Sequence, residues 1–327
     1  MTDMLLHNPL IVTSMIVMCV IIMLIAATYI WSLKDKSLQA VDIELFSYEQ
    51  SMKAIHNDIA QETGKGNLQK NCGTRIYAHG EKTNRVVVML HGYTACPAQF
   101  DALAKQFFNR NYNVYIPRSP HHGQQGDARN YSTLNARELV DYANDSINKA
   151  TGLGEHIGVI GLSGGGVLAT WLSQYRSDVV ERALILSPFY RPSKHKIATW
   201  KVRPLTILYG YKLVKDKFSK NNFQGFSYYG LAQYLRIVEN FDVRRTLPNL
   251  KRLAVVYSRN DTVIDHMHAV KIPKQMSKTN AGMSFEKYII PEDWGVGHDI
   301  VMGNKPDING REKELYKTYI DLYEKVS

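Results

Sequence analysis

A chain of 327 residues that is 45% hydrophobic and 21% charged has the composition of an ordinary folded protein, which excludes disordered and low-complexity classes. The formal net charge of +10 points to an acidic partner surface, nucleic acid or anionic lipid. Three cysteines without a C-x-x-C pair are too few for a disulfide scaffold and give no zinc pattern, and the length admits one large α/β domain or two small ones.

Residues 1–8 form a short tail. Residues 9–31 carry no charge and are mostly Ile, Val, Met, Leu and Ala, enough as a helix to span roughly 30 Å of hydrocarbon. A cleaved signal peptide is the alternative. Against it, no Lys or Arg precedes the run, the run is long, and no small-x-small site follows before Lys34. The expectation is a single-pass transmembrane anchor with Tyr29 and Trp31 as interfacial aromatics. Residues 32–71 then link the anchor to the body. There Leu38, Val41, Leu45, Met52, Ile55 and Ile59 recur at roughly helical spacing, which predicts an amphipathic helix ended by Gly64 and Gly66. It would lie on the domain or the bilayer, or stand as a solvated stalk.

From 72 to 327 apolar runs alternate with helical patterns. Strands are predicted at 74–78 and 86–90, joined by a polar turn at 80–84, then at 112–116, 157–162, 182–187, 253–258 and 287–290. Helices are predicted at 97–111, 135–150, from 167 onward, and at 311–326. This order argues for one mostly parallel sheet covered by helices on both faces. Residues 188–245 interrupt it. They hold Trp200, Tyr209, Tyr211, Phe218, Phe223, Phe226, Tyr228, Tyr229 and Tyr234, too much apolar surface for a bare loop. Twelve Lys and Arg there face only Asp216, Glu239 and Asp242, so nine of the chain's ten excess positive charges lie in this insertion. A helical cap is expected, with a basic face that is either simply solvated or turned to anionic lipid.

The chemistry gathers at strand ends. Gly161-Leu162-Ser163-Gly164-Gly165 sits between an apolar strand and a helix, the setting in which G-x-S-x-G bends into a nucleophile elbow. An activated serine needs a base, a group to orient the base, and donors for an oxyanion. His298 follows the last strand, Asp261 ends the strand at 253–258, and the N–H groups of Tyr93 and Gly164 could form the oxyanion hole. Asp265 reads as a helix N-cap, Asp299 is too close to His298 to reach its ring, and His91 reads as a structural histidine. Cys96 lacks an elbow and is a poor nucleophile.

With these motifs the chain from about residue 72 resembles the α/β-hydrolase superfamily. Within it the likeness is to the carboxylesterase, monoacylglycerol lipase and lysophospholipase group, which carries a cap after the sixth strand. The resemblance implies the α/β-hydrolase fold and Ser-His-Asp acyl-enzyme chemistry, carried here by Ser163, His298 and Asp261. It implies no metal or organic cofactor. The family's G-H-G-like turn after the fourth strand falls on His121-His122-Gly123, with Pro120-His121 in place of the usual glycine. The expected substrate is a lipid or small ester, lipid-like for a domain held at a bilayer under an aromatic cap. Alternatives are a serine aminopeptidase-like peptidase, an acyltransferase, or a membrane-tethered binding protein. No zinc-finger or RNA-binding signature supports nucleic acid as the partner of the basic charge.

The side of the membrane draws two opposed arguments. Lys34 and Lys36 follow the anchor, which by the positive-inside rule places the domain in the cytoplasm. Cys72 and Cys96 flank the first two strands, and a disulfide between them would require an oxidising, extracytoplasmic compartment. If the two strands ran antiparallel about the turn near Lys82, Cys72 would lie level with Tyr93. In the family's strand order another strand intervenes, so the Cys96 loop would have to bend back. The balance falls on the outer side.

Overall fold

In the computed structural model, which describes residues 9–219, 225–303 and 305–325, the apolar runs assemble into a seven-stranded sheet. The tail at 1–8, Lys220 and Phe223 of the insertion, and Val326 lie outside the described residues. The strands are β1 (Arg75–Tyr77), β2 (Thr83–Leu90), β3 (Tyr112–Ile116), β4 (Gly154–Leu162), β5 (Val180–Leu186), β8 (Arg252–Ser258) and β9 (Ser284–Ile290). Their order is β1-β3-β2-β4-β5-β8-β9, with every pairing parallel except β1 on β3. The strand β1 therefore does not form a hairpin with β2, because β3 lies between them.

Parallel strands buried on both faces feed two cores. On β2, Val86, Val88 and Leu90 enter one core while Val87 and Met89 enter the other. The first core is covered by α4 (Ala136–Ala150), which Asn135 caps through Glu138 N–H, and by α5 (Gly164–Tyr175). The second is covered by α3 (Asp101–Phe108) and α9 (Glu312–Glu324), whose Leu315, Tyr319 and Tyr323 are buried. α8 (His266–Thr279) starts at Asp265, whose carboxylate accepts from His268 N–H as an N-cap.

The linker departs from the expected single helix. Only Tyr48–Gly64 (α2) is helical, opened by a capping box in which Ser47 and Gln50 satisfy each other's backbone N–H groups. Before it, Lys36–Gln39 makes one 3-10 turn and the chain then runs extended. This stretch is no solvated stalk. Leu38 and Ile55 are fully buried, the Trp171 indole donates to the Leu38 carbonyl at 2.7 Å, and Asn144 and Asn148 both donate to the Asp42 carbonyl. Lys34 Nζ caps the carbonyls of Glu239 and Phe241, and Asp35 pairs with Arg236. The segment is a strap bonded across the domain.

Upstream of the strap, α1 (Pro9–Ile30) is about 33 Å long and apolar enough to cross a membrane, with none of its residues buried. The insertion follows β5, the fifth strand here rather than the sixth, and comprises α6 (Thr199–Gly210), a two-residue hairpin of β6 (Phe218–Ser219) and β7 (Phe226–Ser227), and α7 (Tyr228–Glu239). Its aromatics do not all lie beneath it. Tyr209 and Tyr234 are buried, whereas Trp200 and Phe218 point outward, because composition fixes how much apolar surface a segment has but not which way it faces.

Cys72 and Cys96 are bridged, with Cα atoms 5.2 Å apart. The Cys96 loop bends back past β3, and Gly123 packs so tightly beneath the bridge that a methyl there would meet Cys72 Cβ at 2.7 Å. Cys19 is the free cysteine. Alkylation of the native, non-reduced chain should therefore modify Cys19 alone, and reduction should expose Cys72 and Cys96. Closing a loop of sequence separation 24 should contribute about 3 kcal/mol, lost in Cys96→Ala and read by denaturant unfolding. Two reactive thiols in the native domain would refute the bridge.

Candidate active site

The parallel strands deliver their carboxyl ends to one edge, and the elbow sits at its centre. Ser163 has φ +55° and ψ −113°, a conformation that costs a non-glycine residue strain. Packing enforces it. A methyl on Gly161 would lie 2.2 Å from the Gly165 carbonyl oxygen, and one on Gly165 would lie 1.9 Å from that of Leu90. The two glycines are thus what allow β4, α5 and the end of β2 to touch.

Around Ser163 a directed chain of hydrogen bonds runs inward. Ser163 Oγ lies 2.9 Å from His298 Nε2, and His298 Nδ1 lies 2.7 Å from Asp261 Oδ2. A carboxylate only accepts, so Nδ1 carries the proton and Nε2 is left to accept from the serine hydroxyl. The Asp261 side chain is fully buried, and its other oxygen accepts from Val263 N–H at 2.8 Å and Ile264 N–H at 3.3 Å. Burial alone would push the Asp261 carboxyl up, but the charge and hydrogen bond of His298 with the Val263 N–H hold it below its ordinary value. Enclosure would push His298 down, yet Asp261, aided by the charges of Asp299 and Asp307, lifts it above the usual 6.5. Such an array can withdraw a proton from Ser163 and stabilise the imidazolium that results.

The strand β2 runs directly into His91-Gly92-Tyr93. A methyl on Gly164 would sit 3.1 Å from Tyr93 N, so the Tyr93 N–H and the head of α5 border one space beside Ser163. The Gly164 N–H opens the helix, where no carbonyl one turn back takes it. His91 sets the orientation of the Tyr93 donor. Its Nε2 accepts from Ser119 N–H at 3.0 Å, so Nδ1 holds the proton and donates to the Gly92 carbonyl at 3.0 Å. That carbonyl shares a rigid peptide plane with the Tyr93 N–H, which must then point the opposite way. Burial pushes His91 down to about 4, so the ring stays neutral.

One residue at this edge, Gln99, was not singled out from the sequence. Gln99 accepts from Gly92 N–H at 2.8 Å and donates to Asp299 at 3.0 Å, joining the Tyr93 loop to the His298 loop. Asp299 is thereby occupied and does not contact the His298 ring, in keeping with its neighbours Val301 and Met302, whose N–H groups it also accepts. Tyr93 Oη donates to the Ser227 carbonyl at the foot of α7, and the buried Tyr234 ring of α7 packs behind Tyr93 at 5.3 Å, tilted by 50°. His121 has φ +64°, so it occupies the left-handed position that the family's usual glycine would take.

Three kinds of similarity bear on this arrangement. A family model described as serine aminopeptidase, S33, matches residues 81–273, which includes Ser163 and Asp261. No curated protein matches the chain by sequence. Among solved structures, one from work on LipS and LipT, two metagenome-derived lipolytic enzymes, has 15% identity and a TM-score of 0.55, covering 77% of this chain and 99% of that one. A soluble variant of monoglyceride lipase from Saccharomyces cerevisiae, bound to a substrate analogue, has 10% identity and a TM-score of 0.57 over 77% and 92% of the two chains. The monoacylglycerol lipase of Paleococcus ferrophilus has 14% identity and a TM-score of 0.56 over 76% and 96%. With the family model covering more than half of its length, the chain belongs to the serine aminopeptidase S33 family of hydrolases, and it shares the α/β-hydrolase fold of these solved structures.

Proposed function

We propose that the protein is a membrane-anchored serine hydrolase that cleaves carboxylic esters of single-chain lipids, such as monoacylglycerols or lysophospholipids. The observation that carries this reading is the unbroken bond chain from Ser163 Oγ through His298 to the buried Asp261. Ser163 attacks the ester carbonyl while His298 takes its proton, and the oxyanion settles between the N–H groups of Tyr93 and Gly164. His298 returns the proton to the leaving alcohol, and water repeats the sequence to free the acid. Asp261 keeps the imidazole in one tautomer and balances its charge. The chemistry needs no metal or organic cofactor.

A lipid-like substrate is supported by the half-buried Tyr93 ring beside the elbow, backed by the fully buried Tyr131 and Tyr234, since each acyl CH₂ buried against it would gain roughly 0.8 kcal/mol. α1 would hold the domain at a bilayer, and the basic insertion would favour anionic lipid by about 1 kcal/mol per close Lys or Arg. The Cys72–Cys96 bridge supports an extracytoplasmic domain. The opposing lysine argument weakens because Lys34 has a structural task, capping carbonyls at the end of α7. A peptidase reading is favoured by the description of the family model. An aminoacyl p-nitroanilide cleaved faster than any ester would select it.

Ser163→Ala should abolish labelling by a fluorophosphonate probe and lower kcat by about 10⁶-fold, with the unfolding midpoint little changed. A parent protein that ignores the probe, or a Ser163→Ala protein that cleaves p-nitrophenyl esters at the parent rate, would sink the mechanism.

The base acts only when neutral, so kcat/KM should rise with pH through a midpoint above 6.5. Asp261→Asn removes the charge that lifts His298, so the midpoint should move to lower pH while kcat drops by about 10⁴-fold. Asp265→Asn, which alters a helix cap and its pairing with His268 but touches neither Ser163 nor His298, should leave the pH profile in place. A midpoint that stays put in Asp261→Asn would disconnect that carboxylate from the base.

A further inference from the structure

The helix α6 is apolar on two sides. Val202, Thr206, Ile207 and Tyr209 are buried against the domain. Trp200, Pro204 and Leu208, spaced i, i+4 and i+8, form a second stripe, on which Trp200 is 51% and Leu208 36% exposed. A helix with two apolar stripes, here separated by Lys201 and Arg203, needs an apolar partner for each, and the domain supplies one.

What borders the second face is the end of α1. Tyr29 Oη donates to the Trp200 carbonyl at 2.8 Å, Arg203 donates to the carbonyls of Thr28 and Trp31, and the Trp31 ring lies 6.2 Å from that of Tyr211. The last turn of α1 thus meets α6 and its following residue from 200 to 211. The Lys201 ammonium lies 5.1 Å over the Trp200 ring, which leaves a cation beside an aromatic at the level where α1 ends. Leu213 and Phe218 of the same insertion are also exposed. Outside residues 10–31, the other exposed large apolar side chains among the described residues are Ile43, Leu45 and Met267.

We propose that α6 is an interfacial helix lying in the bilayer that α1 crosses, with Trp200, Pro204 and Leu208 turned into the acyl boundary. The occupant of the exposed stripe is the lipid of the protein's own membrane. Continuity with α1 fixes the depth, and Trp with Lys is the pairing that suits the headgroup level. The cap then takes its lipid ester sideways from that leaflet. This rests on the reading of α1 as an anchor and deepens the proposed function.

The test uses the full chain in nanodiscs that hold a single copy. In a Cys19→Ala background, Leu208→Cys carries an environment-sensitive fluorophore, and Lys317→Cys on α9, where the lysine side chain is 79% exposed, is the reference. The label at 208 should emit at shorter wavelength than that at 317 and be quenched by doxyl-labelled phosphatidylcholine. Matching emission at both sites would overturn the proposal. So would a shift seen only when two copies share a disc, which would assign the face to a second copy. In activity, Trp200→Ser combined with Leu208→Ser should leave kcat on a soluble short-chain ester unchanged and lower kcat/KM on a long-chain ester in bilayers by about tenfold. An unchanged ratio of the two activities would also overturn it. If the parent cleaves neither ester, the proposed function fails while the labelling result stands on its own.

Discussion

Three backbone segments meet at the elbow with no room for a methyl group between them. Gly161 faces the Gly165 carbonyl and Gly165 faces the Leu90 carbonyl, so the end of β2, the end of β4 and the start of α5 are pressed into one contact. That contact leaves Ser163 no other way to connect strand and helix than its left-handed turn. It also fixes where the Tyr93 loop begins, because that loop leaves directly from Leu90. Ser163 and the Tyr93 N–H, the proposed nucleophile and one of its proposed oxyanion donors, are therefore placed by the same packing event. A shift that relaxed the serine would move both.

The Tyr93 loop is then braced by three hydrogen bonds and a disulfide. His91 orients the Gly92–Tyr93 peptide from behind, Gln99 binds Gly92 N–H from the side, Tyr93 Oη reaches the foot of α7, and the Cys72–Cys96 bridge holds the loop's far end. Such redundancy suits a donor that must be aimed before charge develops, since reorientation during reaction would cost part of the stabilisation. Gln99 adds coupling to rigidity. Through Asp299 it joins the oxyanion side to the residue after His298, so the two halves of the site keep their spacing.

Much of this was legible in the chain because a parallel sheet collects every strand's carboxyl end at one edge. Ser163, Asp261 and His298 each follow an apolar run, and that alone predicts that they can meet. The place of β1 was legible only through the family's strand order, since Arg75-Ile76-Tyr77 itself carries no information on which edge it joins. The spacing of Leu38, Val41 and Leu45 imitated a helix, though the chain there is mostly extended. The true start was marked by Ser47-Tyr48-Glu49-Gln50, a capping box in plain view. Gln99 escaped notice because its partner lies 200 residues away. The facing of the cap aromatics escaped because Trp200 and Tyr234 read alike until the helices are packed.

The strap has a kinetic consequence. Freely jointed, the eight or so residues after α1 would let the domain wander about 15 Å from its attachment. Bonded instead through Lys34, Asp35, Leu38 and Asn240, they allow no slack. On the proposed reading of α1 as an anchor, the domain would sweep one leaflet by lateral diffusion and meet nothing beyond it. Its encounter frequency then scales with the number of substrate molecules per unit area rather than per unit volume. Diluting the ester with inert lipid would slow turnover at constant total ester, while adding buffer would change nothing.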